Sequence, residues 1–202
     1  MRKYTIVGLT GPTGAGKSTV SQFFKENGFI IINADELARQ VVLPDSTCLK
    51  QLCYVFGNDI LNPDRTLNRQ KLAKKAFVSK EKARLLNEIT HPHIFLQALK
   101  ACRENIDIGN NKIVFDAPVL FESNSDIMCD CVVSVLAPKE IRLSRLEQRD
   151  GLSREKLEKR MSVQQSDDFY REHSDFVIDG SKSLPEIREQ VRFFVENLIK
   201  TI

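Results

Sequence analysis

The chain has 202 residues, of which 42% are hydrophobic and 28% charged, and its formal net charge is +3. This composition is ordinary for a soluble globular protein, and the length suits one domain or one domain with an inserted subdomain. Basic and acidic residues are nearly balanced, which excludes the strong, clustered positive charge expected of a dedicated nucleic-acid-binding protein.

The cysteines and apolar segments argue against disulfide-bonded, zinc-binding, membrane-spanning and secreted proteins. The five cysteines include no Cys-x-x-Cys pair and no metal-ligand spacing with the histidines, so we expect reduced thiols rather than a disulfide framework or a zinc site. No apolar run is long enough to span a bilayer, and the run Tyr4–Leu9 is too short for a signal-peptide core. We therefore expect a cytoplasmic protein with no membrane partner and no obligate protein partner.

The N-terminal segment has the pattern of a strand, a helix and a second strand. Thr5–Leu9 is a short apolar run, Lys17–Asn27 carries apolar residues at helical spacing, and Gly28 stands just past its end. Phe29–Ile32 is continuously apolar, as expected of a strand buried on both faces of a parallel sheet. The sequence therefore predicts a βαβ unit at the start of the chain.

The middle of the chain, from about residue 44 to 110, is predicted to be helical. Turn residues interrupt it at 57–66, and it contains no run typical of a strand. We interpret this region as a helical insertion at the edge of the sheet. The predicted helices are Thr47–Phe56, Arg69–Val78, Lys80–Ile89 and Pro92–Asn105.

The alternation of strands and helices resumes after the insertion. It predicts strands at Lys112–Phe115, Cys131–Leu136 and Phe176–Ile178, with helices at Lys139–Arg149, Arg154–Gln165 and Leu184–Ile199. The whole chain is predicted to be an α/β protein with a five-stranded parallel sheet and helices on both faces. Its core would comprise about residues 1–43 and 111–202.

The segment Gly11–Ser18, GPTGAGKS, matches the phosphate-binding P-loop, and its position between a strand and a helix is the expected one. Glycines let successive backbone N–H groups face phosphate oxygens, and the start of the following helix adds positive potential. Lys17 is expected to reach the β- and γ-phosphates of ATP, and Ser18 to offer its hydroxyl to Mg²⁺. The predicted ATP-binding residues of this segment are Gly11, Pro12, Thr13, Gly14, Ala15, Gly16, Lys17, Ser18 and Thr19.

Two features indicate which class of P-loop protein this is: the guanine-binding motif of GTPases is missing, and a carboxylate follows the second strand. A GTPase would carry Asn-Lys-x-Asp, whereas the nearest string, 111–114, reads Asn-Lys-Ile-Val. Asp35 follows the second strand, at the sheet edge where ligands of open α/β folds bind, and its carboxylate could take the proton of an attacking hydroxyl. The alternative role of Asp35 is the N-cap of a helix at Glu36–Val42. These features favour a small-molecule kinase.

Arginines recur through the basic stretch that follows the fourth strand. As a group they are typical of a lid that closes over a triphosphate, because phosphoryl transfer needs cations beside the oxygens that gain charge. Taken singly, each could instead be a solvated charge on a helix face. The residues concerned are Arg142, Arg145, Arg149, Arg154 and Arg160, and the lid would span about residues 145–170.

A set of short motifs extends the pattern over most of the chain. They are Ile6–Gly11, Ala34-Asp35 with Ala38-Arg39, Phe56-Gly57, Leu67-Asn68-Arg69, His91-Pro92, Asp116–Glu122, Arg145 with Arg149, and Arg160-x-x-x-Gln164. From about residue 5 to 180 their order and spacing resemble those of the dephospho-CoA kinases.

The resemblance implies a P-loop NTPase fold and transfer of the γ-phosphate of ATP to the ribose 3′-hydroxyl of dephospho-CoA. It implies catalytic roles for Asp35 as base, Lys17 and Arg145, and an ATP contact for Arg149. It places the acceptor-binding region at about 44–110, with acceptor contacts at Thr10, Asp35, Arg39, His91, Pro118 and Leu120.

Two of the candidate roles have alternatives. Asp116 could join Ser18 in anchoring Mg²⁺ through water, or it could be an ordinary turn residue. His91 could contact the acceptor, or His91-Pro92 could begin a helix, because proline suits the first turn.

The chain departs from the usual family pattern at three places. Asn33 stands where the family usually has the first Asp of Asp-Ala-Asp, which removes a carboxylate but keeps Asp35. The loop interior Pro12–Ala15 also differs, and Asp179-Gly180 stands where the family often has Asn. Kinase action on another small acceptor, or nucleotide binding without turnover in a regulator, remain as alternatives.

Overall fold

The computed structural model describes residues 4–201, and side chains from residue 4 to 198. Its described residues fall into two compact units, one running to Ile32 and resuming at Glu104, the other spanning Asn33–Arg103. The second unit begins and ends earlier than the helical insertion predicted at 44–110. No helix in the described range is both long enough and apolar enough to cross a bilayer.

In the described part of the chain, five strands form a single sheet in the order β2-β3-β1-β4-β5, which confirms the predicted α/β architecture. β1 pairs in parallel with β3 and with β4, and β4 pairs in parallel with β5. Every residue of β1 is buried, as expected of a central strand covered on both faces. The strands are β1 Thr5–Thr10, β2 Ile30–Asn33, β3 Lys112–Asp116, β4 Cys131–Leu136 and β5 Phe176–Asp179.

Helices α1 (Lys17–Glu26) and α9 (Leu184–Thr201) cover one face of the sheet. Phe24 of α1 meets Phe194 of α9 edge-on, with ring centroids 5.8 Å apart, above Val133 and Val135 of β4. Alternate residues of a strand face opposite sides, so Ser134 belongs to the other face. There its hydroxyl lies 2.6 Å from that of Ser174, directly after helix α8 (Asp167–His173).

The predicted basic helices are two helices joined by a short loop, α6 (Lys139–Asp150) and α7 (Arg154–Met161). They pack through a fully apolar cluster formed by Leu143, Leu146, Leu157 and Met161. The prediction that α7 continues to Gln165 was wrong, and α8 was missed. α7 ends at Met161, and Ser166 begins α8, because its side-chain oxygen accepts a hydrogen bond from the N–H of Phe169.

The second unit has a core of its own, built from helices that the apolar spacing largely located. They are α2 Ala34–Gln40, α3 Thr47–Phe56 and α4 Arg69–Ala76, together with most of α5 Lys80–Asp107. Leu52, Phe56, Ile60, Leu72 and Ala76 are buried together in this unit. Ser46 and Asn68 cap α3 and α4 by accepting hydrogen bonds from backbone N–H groups three residues later.

The predicted break at His91-Pro92 is absent, because α5 is one helix with Pro92 inside it. A proline inside a helix removes one backbone hydrogen bond and costs about 3 kcal/mol. Apolar burial on both sides of it offsets this cost: Leu86 and Ile89 pack against the core of the unit before Pro92, and Ala98 and Cys102 are buried after it. The prediction that His91-Pro92 starts a helix was therefore wrong.

Candidate active site

The glycine-rich segment forms a tight loop between β1 and α1. Gly11, Gly14 and Gly16 have positive φ of 143°, 80° and 104°, which is backbone that residues with a Cβ rarely adopt. A Cβ at Gly11 would lie 2.3 Å from the carbonyl oxygen of Val135. Among the side chains of residues 4–198, none caps α1, so the first N–H groups of this helix are available to an anion at the end of the loop.

Lys17 lies against the carboxylate of Asp116, with which it forms an ion pair. Asp116 ends β3, the strand beside β1, so two neighbouring strands deliver the cation and the carboxylate to the same edge of the sheet. The carboxylate side chain is 4% exposed and the lysine side chain 16% exposed. The geometry therefore holds the lysine ammonium at the loop while shielding its partner from water.

Arg145 of α6 is bound to the backbone around the loop. Its guanidinium donates to the carbonyl oxygens of Gly14 at 3.4 Å and Ala15 at 3.3 Å, and to that of Gly180 at 2.8 Å. The predicted ATP contact of Arg145 stays a prediction, but the structure places this cation directly beside the phosphate-binding loop.

The other arginines of the basic stretch differ in exposure. Arg142 is buried and pairs with Asp167 at 3.4 Å, so a solvated role for Arg142 was wrong: the first turns of α6 pack against the loop at Gly14. Arg149 and Arg160 are half or more exposed and both pair with Asp150. Arg149 thus contacts its own helix end rather than the loop, and its predicted ATP contact stays a prediction.

The predicted acceptor residues of the first unit lie at the ends of β1 and β3. The buried hydroxyl of Thr10 donates to the carbonyl oxygen of Pro118 at 3.5 Å, which brings these two residues together. Leu120 is fully buried, with its side chain close to Gly8. The side chain of Leu120 therefore packs against β1, and its predicted acceptor contact stays a prediction.

The chain offers few ligands to a divalent cation at the loop. Within residues 4–201 no group of three or more His, Cys, Asp or Glu side chains could hold a metal ion. Ser18 is exposed at the first turn of α1 and Asp116 lies beside the neighbouring Lys17. This set fits Mg²⁺, which keeps several waters and is usually held by substrate phosphates with one or two protein groups.

The second unit contains the remaining candidates, Asp35, Arg39 and His91. Asn33 caps α2, since its side-chain oxygen accepts from the N–H groups of Asp35 at 2.9 Å and Glu36 at 3.2 Å. The alternative role of Asp35 as the cap was therefore wrong, because the cap lies two residues earlier. Asp35 and Arg39 are exposed on this helix. His91 is half-buried on α5, and burial lowers the pKa of its imidazole.

Two residues near the loop had no assigned role in the sequence. The Gln164 side-chain oxygen accepts a hydrogen bond of 3.2 Å from the Thr13 N–H, and a Cβ at Gly180 would lie 2.0 Å from the carbonyl oxygen of Ala15. The only signal in the sequence was the string Arg160-x-x-x-Gln164 and the pair Asp179-Gly180.

The loop follows the central strand of a parallel sheet, its lysine faces an acidic residue at the end of the next strand, and an arginine helix packs over it. This combination defines the chain as a P-loop kinase of the α/β class.

The dephospho-CoA kinase family model matches residues 5–186, and the chain belongs to that family. A dephospho-CoA kinase of Corynebacterium glutamicum is 38% identical over 196 residues, covering 97% of this chain and 98% of the relative. One of Listeria monocytogenes is 39% identical over 194 residues, covering 96% and 97%. A crystal structure of a Thermus thermophilus protein covers 100% of this chain and 99% of its own, with a TM-score of 0.78 and 26% identity.

Proposed function

We propose that the chain transfers the γ-phosphate of ATP to the ribose 3′-hydroxyl of dephospho-CoA, which yields coenzyme A and ADP and completes coenzyme A biosynthesis in the cytoplasm. The observation that carries this proposal is the Lys17–Asp116 pair at the loop, in a chain whose family match spans residues 5–186. The dephospho-CoA kinases named above match this chain along nearly their whole length.

The loop and α1 bind the triphosphate of ATP in this proposal. The amides of the loop and of the first turn of α1 face its oxygens, and Lys17 exchanges Asp116 for the β- and γ-phosphates. Ser18 and Asp116 would hold Mg²⁺, which neutralises charge on the phosphate oxygens when it is bound. Arg145 and Arg149 complete the positive lining from the lid.

Asp35 is the proposed base. The ribose 3′-oxygen attacks the γ-phosphorus, the bond from that phosphorus to the β,γ-bridging oxygen breaks, and the hydroxyl proton passes to the Asp35 carboxylate. Thr10, Arg39, His91, Pro118 and Leu120 are the proposed acceptor-side residues, with about residues 44–110 as the acceptor-binding region. Asp35 and Arg39 are exposed, so both side chains are accessible to a substrate.

A coupled assay of ADP release tests the assignment with dephospho-CoA, adenosine, pantetheine phosphate and shikimate offered in parallel. We expect turnover with dephospho-CoA alone, and a product that gains one phosphate by mass spectrometry. Lys17→Ala is the matched inactive control. Turnover with another of these acceptors would overturn the assignment, as would ATP binding without any product, which is the behaviour of a regulator.

A further inference from the structure

The outer edge of the phosphate-binding loop is a four-residue turn, Pro12–Ala15. The N–H of Ala15 donates to the carbonyl oxygen of Pro12 at 3.2 Å, and Gly14 in the third position has a φ of 80°. This is the φ that a type II turn requires at that position, which is why glycine is needed there. The turn is part of the segment predicted to bind phosphate, so its conformation fixes where the N–H groups of that segment point.

A side chain from outside the loop orients the first peptide of this turn. The N–H of Thr13 donates to the side-chain oxygen of Gln164, which is distant in sequence and follows α7. The C=O and N–H of a trans peptide point in opposite directions. Because the Thr13 N–H points towards Gln164, the Pro12 carbonyl of the same peptide points the opposite way, into the turn. There it accepts the hydrogen bond from the Ala15 N–H.

The same principle applies to the far end of the turn. Arg145 donates to the carbonyl oxygens of Gly14 and Ala15. A carbonyl of Ala15 held on the Arg145 side directs the N–H of Gly16 away from it, because the two groups of this peptide are antiparallel. One acceptor, Gln164, and one donor, Arg145, thus hold opposite ends of the turn.

The apolar cluster between α6 and α7 couples these two side chains. Met161 ends α7 inside the cluster, and the N–H of Gln164 donates to its carbonyl oxygen at 3.1 Å. Leu146 of α6 belongs to the same cluster and packs at Gly14, where a Cβ would lie 3.1 Å from the Leu146 Cγ. The position of Gln164 is therefore set by the packing that also places α6 on the loop.

We propose that Gln164 is a positioning residue for nucleotide binding, which holds the turn 12–15 in the conformation that accepts the triphosphate and links that conformation to the α6–α7 packing. The proposal rests on the function proposed above, since it takes ATP as the ligand of the loop. It assigns Gln164 no contact with ATP. Its effect is on the loop, so it should appear in nucleotide affinity rather than in the chemical step.

Gln164→Met tests the proposal, because methionine has similar length but no strong acceptor for the Thr13 N–H. We expect ATP dissociation constants from calorimetric titration to rise about threefold to tenfold, the range that loss of one hydrogen bond produces. Gln164→Ala should do the same. The exposed neighbour Gln165 provides the matched control, Gln165→Met, which should bind ATP as the unmodified chain does.

Three measurements separate positioning from a general loss of structure. The midpoint of thermal unfolding should stay within a few degrees of that of the unmodified chain. The values of kcat and of the KM for dephospho-CoA should stay within about twofold, while the KM for ATP rises. Unchanged ATP affinity in Gln164→Met overturns the proposal, and so does tighter binding, which would mean that Gln164 competes with the nucleotide. The titration contains no acceptor, so failure of dephospho-CoA as substrate would contradict the proposed function and leave this measurement intact.

Discussion

Gly180 lies against the carbonyl oxygen of Ala15, so closely that a Cβ on residue 180 would be 2.0 Å from that oxygen. The N–H of Gly180 meanwhile donates to the carbonyl of Leu136 at 2.7 Å, which prevents the segment from moving back. Arg145 bridges the same two segments by donating to both carbonyl oxygens, of Ala15 and Gly180. The segment that directly follows β5 therefore packs against the phosphate-binding loop and forms part of the same site.

Gly180→Ala should weaken ATP binding by about tenfold or more, because the methyl group must displace backbone of the loop. Gly109→Ala is the matched control: position 109 has open space around it but a φ of 93°, so alanine there should cost stability without touching nucleotide affinity. Titration with ATP and thermal unfolding of both variants distinguish the two effects. Normal ATP affinity in Gly180→Ala would show that the contact is not part of the site.

Lys17→Ala should lower kcat/KM by about 10³-fold, on the order of 4 kcal/mol, because the cation beside the transferring phosphoryl group is lost. Activity near that of the unmodified chain would contradict the role of the loop in binding the phosphate donor.

The Lys17–Asp116 pair also predicts an effect on stability. Lys17→Met should reduce the free energy of unfolding by about 1–3 kcal/mol, because the nearly buried Asp116 carboxylate loses its cation. The double variant Lys17→Met, Asp116→Asn should recover part of that loss and none of the activity. Denaturant unfolding of the unmodified chain and the two variants measures this, and a Lys17→Met variant as stable as the unmodified chain would show that the pair contributes nothing to stability.

Asp35→Asn should lower kcat by at least about a hundredfold and leave the affinity for ATP almost unchanged, since the proposed base acts on the acceptor hydroxyl. Single-turnover kinetics and ATP titration check the two halves of this statement. An unchanged kcat would remove Asp35 from the chemistry.

Asn33→Ala should cost about 1 kcal/mol of unfolding free energy, because the first N–H groups of α2 lose their acceptor. Asn33→Asp, which restores the residue usual in the family, should keep the stability, since aspartate caps a helix as well as asparagine does. Denaturant unfolding of the two variants measures the contribution of capping to stability. Their turnover, measured separately, shows whether the missing carboxylate contributes to activity.

Burial lowers the pKa of His91 below its usual value of 6.5, so the folded chain favours the neutral imidazole. The unfolded chain then binds more protons near pH 6, and stability should fall as the pH drops below about 6.5 through the lower folded pKa. His91→Gln should flatten this part of the stability curve. Unfolding free energies between pH 5 and about 8 provide the measurement, and an equally steep curve in the variant would assign the dependence to other groups.

The features found from the sequence were those determined by neighbouring residues. The loop needs its glycines for backbone angles set within a few residues, and β1 and α1 are visible from their own apolar spacing. Misjudged features depend on distant partners. Pro92 is tolerated because α5 buries residues on both sides of it, and Arg142 is buried because α6 packs on the loop.

The candidate site divides in the same way. Lys17 and Ser18 were located by the motif alone, whereas the contact between Thr13 and Gln164 joins residues 151 positions apart. No local pattern marks a glutamine that meets a loop so far along the chain. Asn33 is an intermediate case: the sequence offered a cap for this helix, but as an alternative role of Asp35, because either residue type suits that role.

The position of β1 has a consequence for how the protein is expected to open. This strand is buried along its whole length and bonded to β3 on one side and β4 on the other. Its amides should exchange with deuterium only when the first unit unfolds as a whole, whereas the ends of exposed helices exchange through local fraying. The phosphate-binding loop directly follows β1. Its attachment to the sheet should therefore persist through local unfolding events and be lost only when the sheet itself unfolds.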